Sequence, residues 1–199
     1  YITVMNENYP QPALPEGVGE GILRGMYRLR SGARKKLQVQ LMGSGTILRE
    51  VIAAAEMLEK DFQVSSDVWS VTSFSELRRD GMRTARACRL GSERARQSYV
   101  ASCLDPTRGP VIAASDYVSA VADLIRPWVP RRYVALGTDG YGRSDTRETL
   151  RRFFETDTAH VVVAVLSGLA ADGTIEPSVV AKAIAQYDLD PEAAPPWTH

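Results

Sequence analysis

Histidine and cysteine are scarce in this chain. Its 199 residues include two histidines, His160 and His199, one of them terminal. Zinc sites and histidine-based triads draw on several convergent ligands or partners, so neither is legible here. Cys88 and Cys103 form no CxxC pair. That pattern reads as a reduced intracellular chain, with a disulfide as the alternative. An excess charge is also missing, because Lys plus Arg is 24 and Asp plus Glu is 24. Overall charge therefore favours neither nucleic acid nor membrane as a partner. No uninterrupted apolar run approaches the ~20 residues of a membrane span. There is no GxSxG elbow and no Cys–His pairing. Internal repeats and low-complexity segments are absent as well.

What is present is an ordinary globular composition, 44% hydrophobic and 24% charged, enough for one good-sized core. Residues 1–20 read as the end of a preceding domain and a connector, 21–190 as the domain, and 191–199 as a loose Pro-rich tail. Tyr1-Ile-Thr-Val-Met5 has strand character and no preceding Met. It reads as the middle of something longer, with a processed N-terminus as the alternative.

Along the domain, a helical turn is expected over 16–21 and a strand over 21–30. The next strand is Leu37–Met42, ended by Gly43-Ser-Gly45. Thr46–Asp61 is the clearest amphipathic helix, with Ile47, Val51, Ala55, Leu58 and Phe62 on one stripe. A strand at 67–72 leads to a short helix, Phe74–Arg79, closed by Asp80-Gly81. Residues 82–105 carry Arg83, Arg86, Arg89, Arg94 and Arg96 against Glu93. With only Tyr99 near as an aromatic, this reads as a solvated face or interface rim rather than a nucleic-acid surface. A strand at 109–115 precedes a helix capped by Ser115 or Asp116 and ended by Pro127 and Pro130. Arg132–Leu136 is the last strand. Asp145 and Glu148 have capping-box spacing, and Leu150, Phe153 and Phe154 make the buried face of the helix they start. Residues 157–172 form a helix apolar nearly all round, which must be deeply buried or at an interface. Pro177 opens the last helix, with Val180, Ile184 and Tyr187 on one face. About five strands, most of the later ones followed by helices, imply a mixed, mostly parallel sheet with helices on both faces. The first pair, joined by a short turn, should be antiparallel.

Two glycine loops stand out as candidate sites. Leu41-Met-Gly-Ser-Gly-Thr46 could cradle a phosphate with backbone N–H groups. It lacks the Lys-Ser/Thr ending of a P-loop, and Leu48 stands where GxGxxG needs its third glycine. It reads first as a tight strand-to-helix turn. Val134-Ala-Leu-Gly-Thr-Asp-Gly-Tyr-Gly-Arg-Ser-Asp145 runs from a strand through three glycines to a helix start. Asp139 and Asp145 flank it without a base or metal partner. His160 sits in a strongly apolar helix and reads as a satisfied buried or interface histidine.

As a set the motifs resemble one family. Met5-Asn-Glu-Asn-Tyr9, Met42-Gly-Ser-Gly-Thr-Ile-Leu48, Asp67-Val-Trp-Ser-Val-Thr-Ser-Phe74, Leu136-Gly-Thr-Asp-Gly-Tyr-Gly-Arg-Ser-Asp145 and Thr146-Arg-Glu-Thr-Leu-Arg-Arg-Phe-Phe154 are similar to the C-terminal end of the homodimeric, thiamine-diphosphate-dependent pyruvate dehydrogenases. The Gly-Tyr-Gly-Arg-Ser-Asp string is the most specific, and the wider transketolase superfamily has a looser form of it. The resemblance implies a transketolase C-terminal-type α/β domain. It also implies a bacterial, cytoplasmic multienzyme complex that decarboxylates pyruvate and reductively acetylates lipoyl groups. Its partners would be the upstream domains, a homodimer partner and the lipoyl-bearing acetyltransferase component. Thiamine diphosphate and Mg²⁺ would be bound by two preceding domains, so these residues carry no catalytic, cofactor or metal site and this stretch alone is expected to be inactive. The Arg-rich stretch between Asp80 and Asp105 departs from the family's Trp-, Asn- and His-Pro-containing segment, so no interface is carried over there. Gly137 to Asp145 then reads as a rigid positioning loop. Gly137, Asp139, Tyr141, Arg143, Ser144, Asp145 and His160 are the interdomain or interface candidates. Two other readings stay open: a stand-alone module binding a phosphorylated ligand at a glycine loop, and a purely structural interaction domain.

Overall fold

The computed structural model describes residues 8–91 and 97–198. The expected strand at 1–5, together with Glu93, Arg94, Arg96 and His199, lies outside the described residues. The elements run α1 (Gly19–Arg24), β1 (Met26–Arg30), β2 (Gln38–Gly43), α2 (Leu48–Phe62), β3 (Ser65–Val71), α3 (Phe74–Arg89), α4 (Tyr99–Leu104), β4 (Val111–Ala114), α5 (Ser119–Asp123), β5 (Tyr133–Leu136), α6 (Arg147–Phe153), α7 (Thr158–Ala171) and α8 (Pro177–Gln186). One five-stranded sheet has the order β1-β3-β2-β4-β5. The pairs β2–β3, β2–β4 and β4–β5 are parallel. An apolar cluster built on α2, α7 and the sheet covers one face. A second, drawing on α3, α4 and α5, covers the other.

β1 is antiparallel, as expected, but it pairs with β3 rather than β2. The cause lies in the side chains. β2 is buried along nearly its whole length, which suits a central strand covered on both faces. β1 alternates buried or half-buried Met26, Tyr27 and Leu29 with exposed Arg28 and Arg30. Such a strand belongs at an edge, where charge discourages further pairing. Gln40 is the polar exception in β2. It accepts from the Trp69 indole N–H at 2.9 Å and donates to the Arg108 carbonyl at 3.2 Å. Both ends of the buried amide are thereby satisfied.

Several expected boundaries move. The strand expected over 21–30 begins only at Met26, because 19–24 is helical and Gly25 ends that helix at φ 104. The helix expected to close at Asp80-Gly81 continues to Arg89. A Cβ on Gly81 would sit 2.3 Å from the Trp128 ring. That glycine makes room for a tryptophan rather than stopping a helix. Neither Ser115 nor Asp116 caps the helix after β4, which starts later, at Ser119. The cap expected at Asp145 moves one residue to Thr146, whose hydroxyl accepts from the Thr149 N–H. Val118, just before α5, is exposed. In the tail, Pro196 is buried and its carbonyl lies against Gly140.

α7 resolves its two alternatives toward internal burial. Val161, Val162, Val165, Leu166 and Leu169 are buried in the core with α2 residues Val51, Ala54 and Leu58. Half-buried Val179, Val180 and Tyr187 of the α8 region pack on the same cluster. Asp157 caps the helix by accepting from the His160 N–H at 2.9 Å.

Candidate functional site

The loop after β5 has two halves of different character. The first is pinned. The Thr138 N–H donates to the Tyr117 carbonyl at 2.9 Å, and its hydroxyl donates to the Asp116 carbonyl at 2.7 Å. Asp139 accepts from the Ser119 N–H at 2.9 Å, so a carboxylate from another loop satisfies the first amide of α5. Gly137 permits this approach, since a Cβ there would lie 2.3 Å from the Ser119 nitrogen. The second half, residues 141–146, is exposed, with Tyr141 at 85%. Arg143 lies over the Phe153 ring at 4.2 Å.

The two glycine loops meet. β2 and β4 lie side by side and parallel. The chain leaving β2 returns on one side as β3, and the chain leaving β4 returns on the other as β5. The turns at their carboxyl ends must therefore diverge, which opens a crevice. Thr46 and Asp116 stand at its two sides, with the Thr46 hydroxyl 3.5 Å from the Asp116 carboxylate. A cavity of about 280 Å³ lies here. Thr46 and Ile47 line it from the first loop; Thr138, Gly140, Gly142 and Arg143 line it from the second. Arg147, Leu150, Arg151, Phe154 and Thr156 complete it. A neighbouring cavity of about 420 Å³ shares Thr46 and Asp116 and is bounded by Tyr9, Arg49 and Tyr117.

A partly buried ionic network supports the cavity wall. Arg151 donates to Glu50 at 2.8 Å, and the second Glu50 oxygen accepts from the Thr158 hydroxyl at 2.6 Å and its N–H at 3.1 Å. This one carboxylate ties α2, α6 and the start of α7 together. Asp157 accepts from the Arg152 guanidinium at 3.1 Å and lies 2.7 Å from His160 Nδ1. Burial alone would raise the Asp157 carboxyl. The His160 ring and N–H, with Arg152, outweigh it and hold the group below its ordinary value. On the opposite face burial pushes the Cys103 thiol up, which removes thiolate character.

These positions divide the sequence candidates. Gly137 and Asp139 position the loop. Arg143 reaches the cavity and also lines an adjacent hollow with Ser144, Asp145 and Phe153. Tyr141 projects outward. His160 is held at the first turn of α7 by Asp157. Asp116, Glu50, Arg147, Arg151 and Thr156 are the positions that reading along the chain passed over. For Asp116 a signal existed, its place directly after a parallel strand beside the Gly43-Ser-Gly45 turn. The arginines and Thr156 reach the crevice only through folding of α6 against α2. Among the described residues, no group of three or more His, Cys, Asp or Glu side chains is placed to hold a metal ion. The residues described do not fit a diphosphate–Mg²⁺ centre.

Comparison with known proteins agrees with this architecture. Over an alignment 199 residues long the chain is 56% identical to "Pyruvate dehydrogenase E1 component" of Pseudomonas aeruginosa, covering 98% of this chain and 23% of that protein. The protein of the same name from Cupriavidus necator is 54% identical, covering 100% and 22%. That from Escherichia coli K12 is 49% identical, covering 98% and 22%. The chain thus spans about a fifth of the length of these relatives. Among solved structures, transketolase from Leishmania mexicana superposes with a TM-score of 0.52 at 21% identity, over 78% of this chain and 20% of that one. It shares the fold. The profile of the transketolase-like TK C-terminal domain matches residues 25–157, and the chain belongs to that family.

Proposed function

We propose that this chain is the C-terminal domain of a thiamine-diphosphate-dependent pyruvate dehydrogenase (acetyl-transferring). The intact cytoplasmic enzyme decarboxylates pyruvate and reductively acetylates the lipoyl group of an acetyltransferase component. The observation that supports this most is 56% identity spread over 98% of the chain, with no more than 23% of the relative's length used. Identity on that scale reflects more than a common fold, which a solved transketolase shares at 21% identity. The cofactor, when bound, supplies carbanion stabilisation, and it belongs to segments other than this one. The chain's own part is mechanical: it offers a rigid sheet whose β5 loop is pinned on one side and projects Tyr141 and Arg143 on the other. Those exposed residues make contacts to a neighbouring domain or to the second subunit of a homodimer.

The test uses two proteins, the full-length gene product and the 199-residue chain. The full-length product should decarboxylate pyruvate in the presence of thiamine diphosphate and Mg²⁺ and sediment as a dimer. The chain should do neither. Turnover by the chain, or a full-length product that binds thiamine diphosphate yet ignores pyruvate, refutes the proposal.

A further inference from the structure

We propose that the crevice at the carboxyl ends of β2 and β4 is a binding site for a small organic anion, with a phosphate or carboxylate head and a compact apolar body. The inference goes beyond the pyruvate dehydrogenase reading and stands if that reading fails.

Four observations meet at this place. The first is topological. The cavity lies where the connections from two adjacent parallel strands part, the position at which open α/β sheets hold ligands. The second is the lining. Arg143, Arg147 and Arg151 line it, Arg143 with its guanidinium over the Phe153 ring, and Asp116 is the one carboxylate among the described lining residues. Arg151 also carries the Glu50 pair on one edge of its guanidinium. Guanidinium forks match phosphate and carboxylate oxygens two at a time. Leu150 and Phe154 give the same cavity an apolar wall.

The third observation is Thr156. It is fully buried and lines the cavity, yet its hydroxyl has no hydrogen-bond partner. Buried hydroxyls in folded proteins are nearly always satisfied, so an orphan at a cavity wall calls for an acceptor from outside the chain. The fourth is the start of α2. Thr46 and Ile47, immediately before that 15-residue helix, line the cavity, and no side chain caps the helix. A 3-10 turn, Gly45–Ile47, runs straight into it and the Leu48 N–H returns to the Gly45 and Thr46 carbonyls, so the positive end of the joint dipole lies at this turn, beside the Asp116 carboxylate. A volume of about 280 Å³ holds roughly nine waters at ~30 Å³ each. A group the size of phenyl phosphate fits.

The experiment is calorimetric titration of the full-length gene product with phenyl phosphate, benzoate and inorganic phosphate. Phenyl phosphate should bind saturably and more tightly than inorganic phosphate, because only the former uses the Leu150 and Phe154 wall. Comparison with benzoate decides which head group is preferred. Arg147→Ala should weaken phenyl phosphate at least tenfold, while Arg79→Ala, on the far face in α3, should leave it within twofold. Thr156→Val keeps the shape and removes the orphan hydroxyl. It should weaken binding severalfold while the unliganded protein melts at the same temperature or higher, a combination that a merely structural role for Thr156 does not produce. No saturable binding of any probe overturns the proposal. So does equal weakening by Arg79→Ala and Arg147→Ala, and so does a Thr156→Val protein that melts lower yet binds as the parent does.

Discussion

Replacing Gly137 with alanine tests how firmly the β5 loop is held. The backbone there has no positive φ, so alanine meets no conformational penalty and the whole effect must come from space. A Cβ at this position would stand 2.3 Å from the Ser119 nitrogen and 2.6 Å from both the Ser119 Cα and the Tyr117 carbonyl oxygen. All three are backbone atoms, which cannot rotate out of the way as a side-chain tip can. Overpacking of this kind costs about 1–3 kcal/mol. Pushing the loop away also strains the Asp139–Ser119 and Thr138–Tyr117 bonds, and the charge-assisted one alone contributes roughly 1.5–3 kcal/mol if lost. Partial relaxation of both gives about 2–4 kcal/mol in total, or roughly 5–15 °C in Tm for a domain of this size. Gly142 is the control, five positions along the same loop, where a Cβ meets nothing within 4 Å. Gly142→Ala should stay within about 0.5 kcal/mol of the parent. Scanning calorimetry reads the stability, and amide hydrogen exchange at Ser119 and Thr138 reads the local change. If Gly137→Ala melts with the parent, or if the two alanine variants lose the same amount, the loop is not pinned as described.

Further expectations rest on other parts of the molecule. Asp157→Asn keeps a residue that can cap α7 but removes the charge facing Arg152 and His160, and should cost about 1–2 kcal/mol near neutral pH. Because the folded-state pKa of Asp157 is lowered, its contribution is present above the unfolded value and is lost as pH falls through the folded one. The gap between parent and variant in urea melts should therefore close below about pH 4; a constant gap refutes the assignment. Tyr187 is pushed up to about 12, first by burial and then by its hydrogen bond to Asp61. Spectrophotometric titration of Asp61→Asn should move that tyrosine down toward its ordinary value, and an unmoved titration counts against the contact. The stabilisation from this raised pKa is complete below about pH 10 and disappears as pH rises through about 12. Gly81→Ala would gain about 1 kcal/mol on an open helix, but the Trp128 ring 2.3 Å away should turn the gain into a loss and shift tryptophan emission. A variant more stable than the parent would refute that contact.

The relation of sequence to fold can be read in particular elements. The 3.6-residue stripe from Ile47 to Phe62 belongs to an amphipathic helix wherever it packs, so α2 and its buried face were legible in advance. The mostly apolar run from Val161 to Leu169 required cover, either in the core or at an interface, and only the packing of α2 and α8 decided for the core. The antiparallel pairing of the first strand was legible, but only the sheet decided that its partner was β3 rather than β2. Pairing partners depend on how far a connection can reach and on which strands need both faces covered. Gly81 looked like punctuation, because a glycine before a polar run usually is. Trp128, remote in sequence, made it a packing position.

Local chemistry in the chain determined the strand–helix alternation, the two glycine turns and the family resemblance carried by Gly-Tyr-Gly-Arg-Ser-Asp. These depend on spacings of a few residues, which a linear reading captures. The crevice belongs to tertiary structure. Glu50 and Arg151 are 101 positions apart, and Thr46 and Asp116 are 70 apart. Nothing in either neighbourhood points to the other. Their meeting follows from two parallel strands whose connections run in opposite directions, a property of strand order that becomes physical only once the sheet has closed around its core.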